Sequence, residues 1–270
     1  MNALSKLINK NKENKIICVG LDTDIDKIPS HLLNTTNPVL EFNRAIIDAT
    51  KDSVAAYKIN FAFYECNGAE GFNNLKSTID LIPKDILIIA DAKRGDIGNT
   101  SDMYAKSVFN YFNCDSVTVN PYLGEDSVKP FLNYQNKLIF VLALTSNPGS
   151  ADFEKLKLEN GKFLFQSVIE AVNKWNTNSN CGLVFGATQF DELNKNINSF
   201  KNLPVLLPGV GAQGGSLEDV VITFKAHNRS NFLINVSRSV IYKSHGIDFA
   251  FAAKEEVEKM NNIIYKILNQ

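Results

Sequence analysis

Two acidic residues and one lysine crowd a single short segment, Asp91-Ala92-Lys93-Arg94-Gly95-Asp96. The residues just before it, Ile86-Leu87-Ile88-Ile89-Ala90, are apolar and rich in β-branched types, so a strand buried on both faces ends where the charges begin. Residues i and i+2 of a strand point the same way, which puts Asp91 and Lys93 on one face. Lys58 lies near the end of another such run (54–59), and Asp22 follows a third (16–21). Four charges of alternating sign would then share one mouth. Two unit charges about 4 Å apart interact by roughly 4 kcal/mol at an effective dielectric near 20. Such an array keeps both lysines protonated and both carboxylates ionised. A lysine held cationic in this way is a proton donor for a carbanion. A ring of salt bridges that only closes the end of the fold would use the same residues.

A second group of residues has the chemistry of an anion site. The stretch Pro208-Gly209-Val210-Gly211-Ala212-Gln213-Gly214-Gly215 holds four glycines, which let backbone N–H groups approach a phosphate closely. Arg238 follows the apolar run 232–236, and a guanidinium can grip a phosphate with two hydrogen bonds. Thr145 and Ser146 offer hydroxyls to a heterocycle or sugar, although Pro148-Gly149 would also explain that stretch as a turn. Residues 146–161 are polar and long for a connecting loop, which suggests a lid or binding loop. Asp96 and Thr100 read equally well as caps of a following helix or as site residues.

The elements that must position these groups recur along the chain. Apolar β-rich runs fall at 16–21, 54–59, 86–90, 116–119, 138–144, 183–185, 205–207 and 232–236. Helical spacing of apolar residues marks 37–51, 99–111, 163–175 and 248–268, with shorter candidates at 189–197 and 217–224. Eight strands with intervening helices imply a parallel sheet with right-handed crossovers, which closes naturally into a single (β/α)8 TIM barrel of the α/β class. An open doubly wound sheet is the alternative. It usually carries a glycine-rich nucleotide loop after its first strand, and here that position reads Gly20-Leu21-Asp22-Thr23-Asp24. In a barrel, chemistry sits where strands end, and the loops after strands seven and eight are the usual phosphate site. No proline- or serine-rich linker divides the sequence, so residues 1–270 are expected to form one barrel domain, with no second enzyme fused to it.

Composition narrows the function classes. The chain has 270 residues, 28 basic against 29 acidic, for a net charge of −1. That balance gives no footprint for nucleic acid or an anionic membrane surface. The N-terminus has no sustained apolar core of a secretory signal, and no apolar run is long enough to span a bilayer, so a cytoplasmic location is expected. Cys18, Cys66, Cys114 and Cys181 are scattered, without a Cys-x-x-Cys pair or nearby histidines, so neither zinc nor a disulfide is indicated. Cys18, inside an apolar run, reads as a small buried hydrophobe. His31, His227 and His245 read as surface or loop residues.

The run Ile89-Ala90-Asp91-Ala92-Lys93-Arg94-Gly95-Asp96-Ile97-Gly98-Asn99-Thr100 resembles the signature of the orotidine 5′-phosphate decarboxylase family. That signature is Asp-x-Lys-x-x-Asp, an aliphatic residue, Gly or Pro, any residue, then Thr, and every position is met. The resemblance runs from Gly20-Leu21-Asp22 to Ser237-Arg238. The stretches at 145–149 and 208–215 are similar to the longer bacterial-type branch. The resemblance implies decarboxylation of orotidine 5′-monophosphate to UMP, the last step of pyrimidine nucleotide synthesis, without cofactor or metal. It implies that Lys93 protonates C6 of the nascent carbanion and that Asp91 lies beside the departing carboxylate. Lys58 would bridge Asp91 and a ribose hydroxyl, and Asp22 would bind the ribose. Ser146 would contact the pyrimidine, and Gln213 would join it to the phosphate, held also by the Gly214 backbone and Arg238. Ile97, Pro208 and Ser237 complete the implied substrate contacts. Asp96 and Thr100 would reach into a neighbouring subunit's site, making a homodimer with shared active sites. In one departure, Ser237 stands where this family often has glycine, which touches only a backbone contact. Direct loss of CO₂ from this substrate leaves a carbanion with no obvious electron sink, so catalysis must come from charges already in place.

Two other readings remain. A sugar-phosphate decarboxylase or aldolase of the same barrel superfamily shares Asp-x-Lys-x-x-Asp but uses Mg²⁺, and usually has an acidic residue near the end of strand two. Lys58 stands there in this chain. A barrel that binds a phosphorylated nucleotide without turnover would not need the full charged set.

Overall fold

The computed structural model describes residues 1–211 and 213–269; Ala212, inside the glycine-rich stretch, and Gln270 lie outside them. In the first half of the chain, β1 (Ile17–Gly20), β2 (Ala56–Asn60), β3 (Leu87–Arg94) and β4 (Ser116–Val119) are interleaved with six helices. These are α1 (Ala3–Lys12), α2 (Pro38–Thr50), α3 (Ala62–Glu65), α4 (Gly68–Leu81), α5 (Gly98–Lys106) and α6 (Glu125–Leu132). The second half adds β5 (Leu138–Leu144), β6 (Cys181–Phe185), β7 (Val205–Pro208) and β8 (Phe232–Val236). Its helices are α7 (Leu164–Trp175), α8 (Phe190–Asn196), α9 (Leu217–Ala226), α10 (Arg238–Ile241) and α11 (Phe249–Asn269). The eight strands are parallel to their neighbours and close in sequence order from β1 to β8 and back, which is a (β/α)8 barrel. Each expected strand is present.

Alternation along the strands builds two cores. Inward-facing Cys18, Ala56, Leu87, Ile89, Leu138, Phe140, Val184, Leu206 and Leu233 fill the barrel. The outward partners, such as Ile17, Ile88, Val117, Val141 and Ile234, pack under the helices. Phe140 takes the space that Gly182 leaves: a Cβ on Gly182 would come within 2.7 Å of its ring. The inward rows continue upward into the mouth, from Ile89 to Asp91, Ala56 to Lys58, Phe140 to Leu142 and Leu233 to Asn235.

Five helices were not anticipated, the one-turn α3 and α10 and three longer ones that complete the barrel. Helix α1 plugs its N-terminal end: Ala3 and Leu7 join the interior core, and Lys6 pairs with Asp115 at 2.7 Å. Helix α4 buries Gly71, Asn74, Leu75, Thr78 and Ile79, a face too polar to carry an apolar periodicity. Helix α6 is eight residues long and contains Pro130, so its pattern is short and interrupted. The expected helix 99–111 is α5 followed by a π-helical turn, Ser107–Tyr111. His31 and His245 are exposed and His227 is half-buried, as expected of surface residues.

Candidate active site

A cavity of about 450 Å³ opens at the C-terminal end of the strands. Asp22, Lys58, Asp91, Lys93, Ser146, Pro208, Gln213, Ser237 and Arg238 line it, so strand ends far apart in sequence converge as expected.

Asp91 is the hub. Its Oδ2 accepts from Lys58 Nζ at 2.8 Å, and its Oδ1 accepts from Lys93 Nζ at 2.7 Å and from Thr118 Oγ1 at 2.9 Å. Lys58 Nζ also reaches Asp22 Oδ1 at 3.4 Å. Burial alone would raise the Asp91 carboxyl, but Lys58 and then Lys93 outweigh it and hold it well below the usual carboxylate range. Burial likewise opposes charge on Lys58, yet Asp91 and then Asp22 push its ammonium above the usual lysine range. Below them, burial pushes the Cys18 thiol up, so it stays protonated as an apolar filler.

The contact between Asp91 and Lys93 arises differently from simple alternation. The register of β3 against β4 slips between Ala90 and Arg94, and Lys93 has a φ of +46°, in the left-handed region. A β-bulge therefore turns the lysine back onto the carboxylate. A non-glycine residue there costs about 1–2 kcal/mol, and such strain concentrates at functional sites.

Asp22 is fixed by its neighbours. Leu21 O accepts from Tyr64 OH at 3.0 Å, and Thr23 Oγ1 donates to Asn43 Oδ1 at 2.6 Å. Asn43 in turn donates to Tyr64 OH and Thr78 Oγ1, both at 2.9 Å. Tyr242 OH donates to Asp22 O at 3.1 Å and accepts from Asp24 N at 2.7 Å. Buried polar groups on α2, α3 and α4 thus hold the loop after β1.

On the opposite rim, Ser146 Oγ donates to Gln213 Oε1 at 2.7 Å, joining the loops after β5 and β7. The β7 loop needs its glycines: Gly209, Gly211 and Gly214 all have positive φ, and a Cβ on Gly209 would fall 2.9 Å from Gln213 Oε1. Gly214 does not line the cavity, and its N–H donates to Gly211 O at 2.9 Å. Arg238 begins α10 after the adjacent strand β8, is exposed, and lines the cavity beside this loop. Ser237 packs against Gly20, whose added Cβ would collide with its Oγ. Thr145 is occupied within its own loop: its N–H donates to Glu154 Oε2 at 2.6 Å, and its hydroxyl proton is shared between Asn147 Oδ1 at 2.7 Å and Glu154 Oε1 at 2.9 Å. The loop 146–161 is thereby tied to the rim, and a one-turn helix Pro148–Ala151 gives it structure.

Asp96, Ile97 and Thr100 are outside this cavity. The capping reading of Asp96 and Thr100 does not hold: the N-cap of α5 is Ile97, without a side-chain cap, and Thr100 lies inside the helix. Among the described residues, Asp96 Oδ1 accepts only from its neighbour Ile97 N, at 2.8 Å.

Thr118, Asn60, Glu154 and Asn235 also line the cavity. Asn60 and Asn235 stand at the ends of strands two and eight in the sequence but drew no role there, and Thr118 and Glu154 were missed. Thr118 lies within its strand, below the end, and its signal was a polar residue in an inward row. Asn235 is buried, and its Oδ1 has no hydrogen-bond partner among the described residues.

A closed (β/α)8 barrel that sets a lysine–carboxylate array opposite a glycine-rich loop and an arginine defines a barrel enzyme for a phosphorylated small molecule. Residues 15–248 match the model of the orotidine 5′-phosphate decarboxylase / HUMPS family, and the chain belongs to that family. It is 46% identical over 268 residues to the orotidine 5′-phosphate decarboxylase of Dehalococcoides mccartyi, covering 98% of this chain and 97% of that one. The structure of Leishmania donovani OMP decarboxylase superposes with a TM-score of 0.83 at 36% identity, covering 98% of this chain and 100% of that one. The structure of Leishmania donovani UMP synthase gives a TM-score of 0.85 at 38% identity; 98% of this chain spans 57% of that longer one. The enzyme decarboxylates orotidine 5′-monophosphate to UMP in pyrimidine synthesis. Among the described residues, no helix is long and apolar enough to cross a membrane.

Proposed function

We propose that Lys93 delivers the proton to C6 of the pyrimidine as CO₂ leaves, from an array of charges set before substrate binds. The observation that carries this reading is Asp91, which holds Lys93 and Lys58 on its two oxygens at 2.7 and 2.8 Å. A positive charge fixed beside the reacting carbon stabilises the carbanion-like transition state more than the ground state. Lys58, held by Asp91 and Asp22, and Asp22 itself bind the ribose. Ser146 and Gln213 meet the base, with Pro208 as the wall beside them. Gln213, Ser237 and Arg238 take the phosphate, whose binding energy closes the β5 and β7 loops over the reacting centre.

The reaction in this reading needs no metal or cofactor. Asp22 and Asp91 are already paired with lysine ammonium groups, which compete with a divalent cation. The absorbance change of orotidine 5′-monophosphate in excess chelator tests the point. Turnover only with added Mg²⁺ would sink it. Lys93→Ala should abolish turnover while the protein stays folded, and near-normal turnover would remove Lys93 from the proton-donor role.

The barrel also works as a homodimer in this reading, one domain per subunit, in the cytoplasm and without nucleic acid. Asp96, Ile97 and Thr100 serve the neighbour's site. Support comes from Ile97, which is exposed, and from exposed Phe72 and Met103, which line one groove with Thr100. Apolar residues grouped on a surface mark an interaction site.

A further inference from the structure

We infer that Thr118 is the positioning residue of the decarboxylation site, setting Asp91 and Lys93 from the neighbouring strand. The inference rests on the proposed roles of those two residues.

The strand register isolates Thr118. Ala90 pairs with Val117 and Arg94 with Val119, so Asp91, Ala92 and Lys93 all stand opposite Thr118 alone. A regular ladder cannot satisfy that stretch of β3, because β4 has too few backbone groups facing it. The Thr118 side chain substitutes for the missing partner. Its Oγ1 accepts from Lys93 N at 3.0 Å and donates to Asp91 Oδ1 at 2.9 Å. The residue is 1% exposed, so water does not compete for either bond.

Because the hydroxyl has one proton and Lys93 N–H must be the donor in its bond, the Thr118 proton goes to Asp91. Both bonds act on the catalytic geometry. The first holds Lys93 at its left-handed φ of +46°, the conformation that folds its ammonium back onto Asp91. The second fixes the plane of the Asp91 carboxylate, whose Oδ1 is shared with Lys93 and whose Oδ2 is left for Lys58. Without the hydroxyl, an N–H loses its partner at a strained residue, and the carboxylate keeps only the two lysine contacts, one of them to the half-exposed Lys93. Preorganisation of this kind acts on the chemical step rather than on ground-state binding.

The test compares Thr118→Val, which keeps the shape and removes the hydroxyl, with Thr118→Ser, which keeps the hydroxyl. Turnover, KM and the affinity for UMP are measured for both, with Lys93→Ala in the same assay. Thr118→Val should lower kcat by on the order of 10–100-fold, as expected for one lost hydrogen bond to a charged group. Its KM and UMP affinity should stay within a fewfold, and Thr118→Ser should restore most of kcat. If valine does not fold at this position, Thr118→Ala deletes the same hydroxyl without placing a methyl against Asp91. Wild-type kcat in the hydroxyl-free variant overturns the inference. So does an equal loss of kcat and UMP affinity, or a serine variant as impaired as valine, since either result means general disruption of the barrel. Turnover by Lys93→Ala would instead overturn the role given to Lys93, whatever Thr118 does.

Discussion

Lys58 Nζ lies 2.8 Å from Asp91 Oδ2, with both side chains less than a tenth exposed. Removing one partner of an isolated buried pair costs about 3–5 kcal/mol. Asp91 keeps Lys93 when Lys58 is lost, so Lys58→Met should lower stability by up to about that amount in urea unfolding at pH 7. The pH dependence has a definite sign. The folded Asp91 value is depressed, so its contribution is complete above the unfolded value near 3.9 and is lost only as pH falls below it. The folded Lys58 value is raised, so its contribution is complete below the unfolded value near 10.4 and is lost only as pH rises beyond it. The stability difference between wild type and Asp91→Ala should thus be flat from about pH 5 to 8 and shrink in stronger acid. A slope across the neutral range would contradict this assignment of charges.

Lys93 is strained in place, at a φ of +46° with its side chain half exposed. Glycine tolerates that backbone where alanine does not, although it loses more freedom on folding. Lys93→Gly should be more stable than Lys93→Ala by up to about 1 kcal/mol, and both should be inactive. Equilibrium unfolding of the two variants checks this. An alanine variant at least as stable as glycine would mean that the bulge relaxes without Lys93 and stores nothing.

Arg238 makes no side-chain hydrogen bond to another described residue, and it lines the cavity beside the β7 loop. Its loss should cost binding rather than folding. A charge-assisted hydrogen bond is worth about 1.5–3 kcal/mol, so Arg238→Ala should lower kcat/KM by roughly 10–100-fold. UMP affinity should fall with it, while uridine affinity and Tm stay unchanged. Equal losses for UMP and uridine would remove Arg238 from the phosphate site.

Much of this site was legible because a barrel sends its inward rows to one end, so reading strand ends amounts to reading the mouth. That logic located Asp22, Lys58, Asp91, Lys93, Ser146, Gln213 and Arg238. It failed where the backbone departs from regularity. Strict alternation brings Asp91 and Lys93 together, but the actual cause is a bulge whose register depends on β4, and no local pattern in β3 announces it. Thr118 was invisible for the same reason, since its importance lies in what stands opposite. Helix α4 was hidden because Asn74 and Thr78 bury polar groups that find partners only in the folded chain, at Asn37 and Asn43. Helix α1 was hidden because its apolar residues close a barrel end rather than coat a sheet.

Asp96 stands five residues from Asp91, yet the two do different work. Asp91 is buried at the centre of the mouth, whereas Asp96 lies outside the cavity on the rim, next to exposed Ile97. If each site takes Lys93 from one subunit and Asp96 from the other, Lys93→Ala and Asp96→Ala are complementary defects. Each variant alone has a fault in both sites. A mixed dimer concentrates both faults in one site and leaves the other intact. With random exchange in a two-fold dimer, an equal mixture should recover about a quarter of wild-type activity. The recovered sites should show wild-type KM, since they contain only native residues. Subunit exchange, followed with a tagged chain, must be verified alongside turnover. Exchange without recovered activity would leave Asp96 with no part in the neighbour's chemistry, and would reduce the apolar groove beside Thr100 to a contact surface alone.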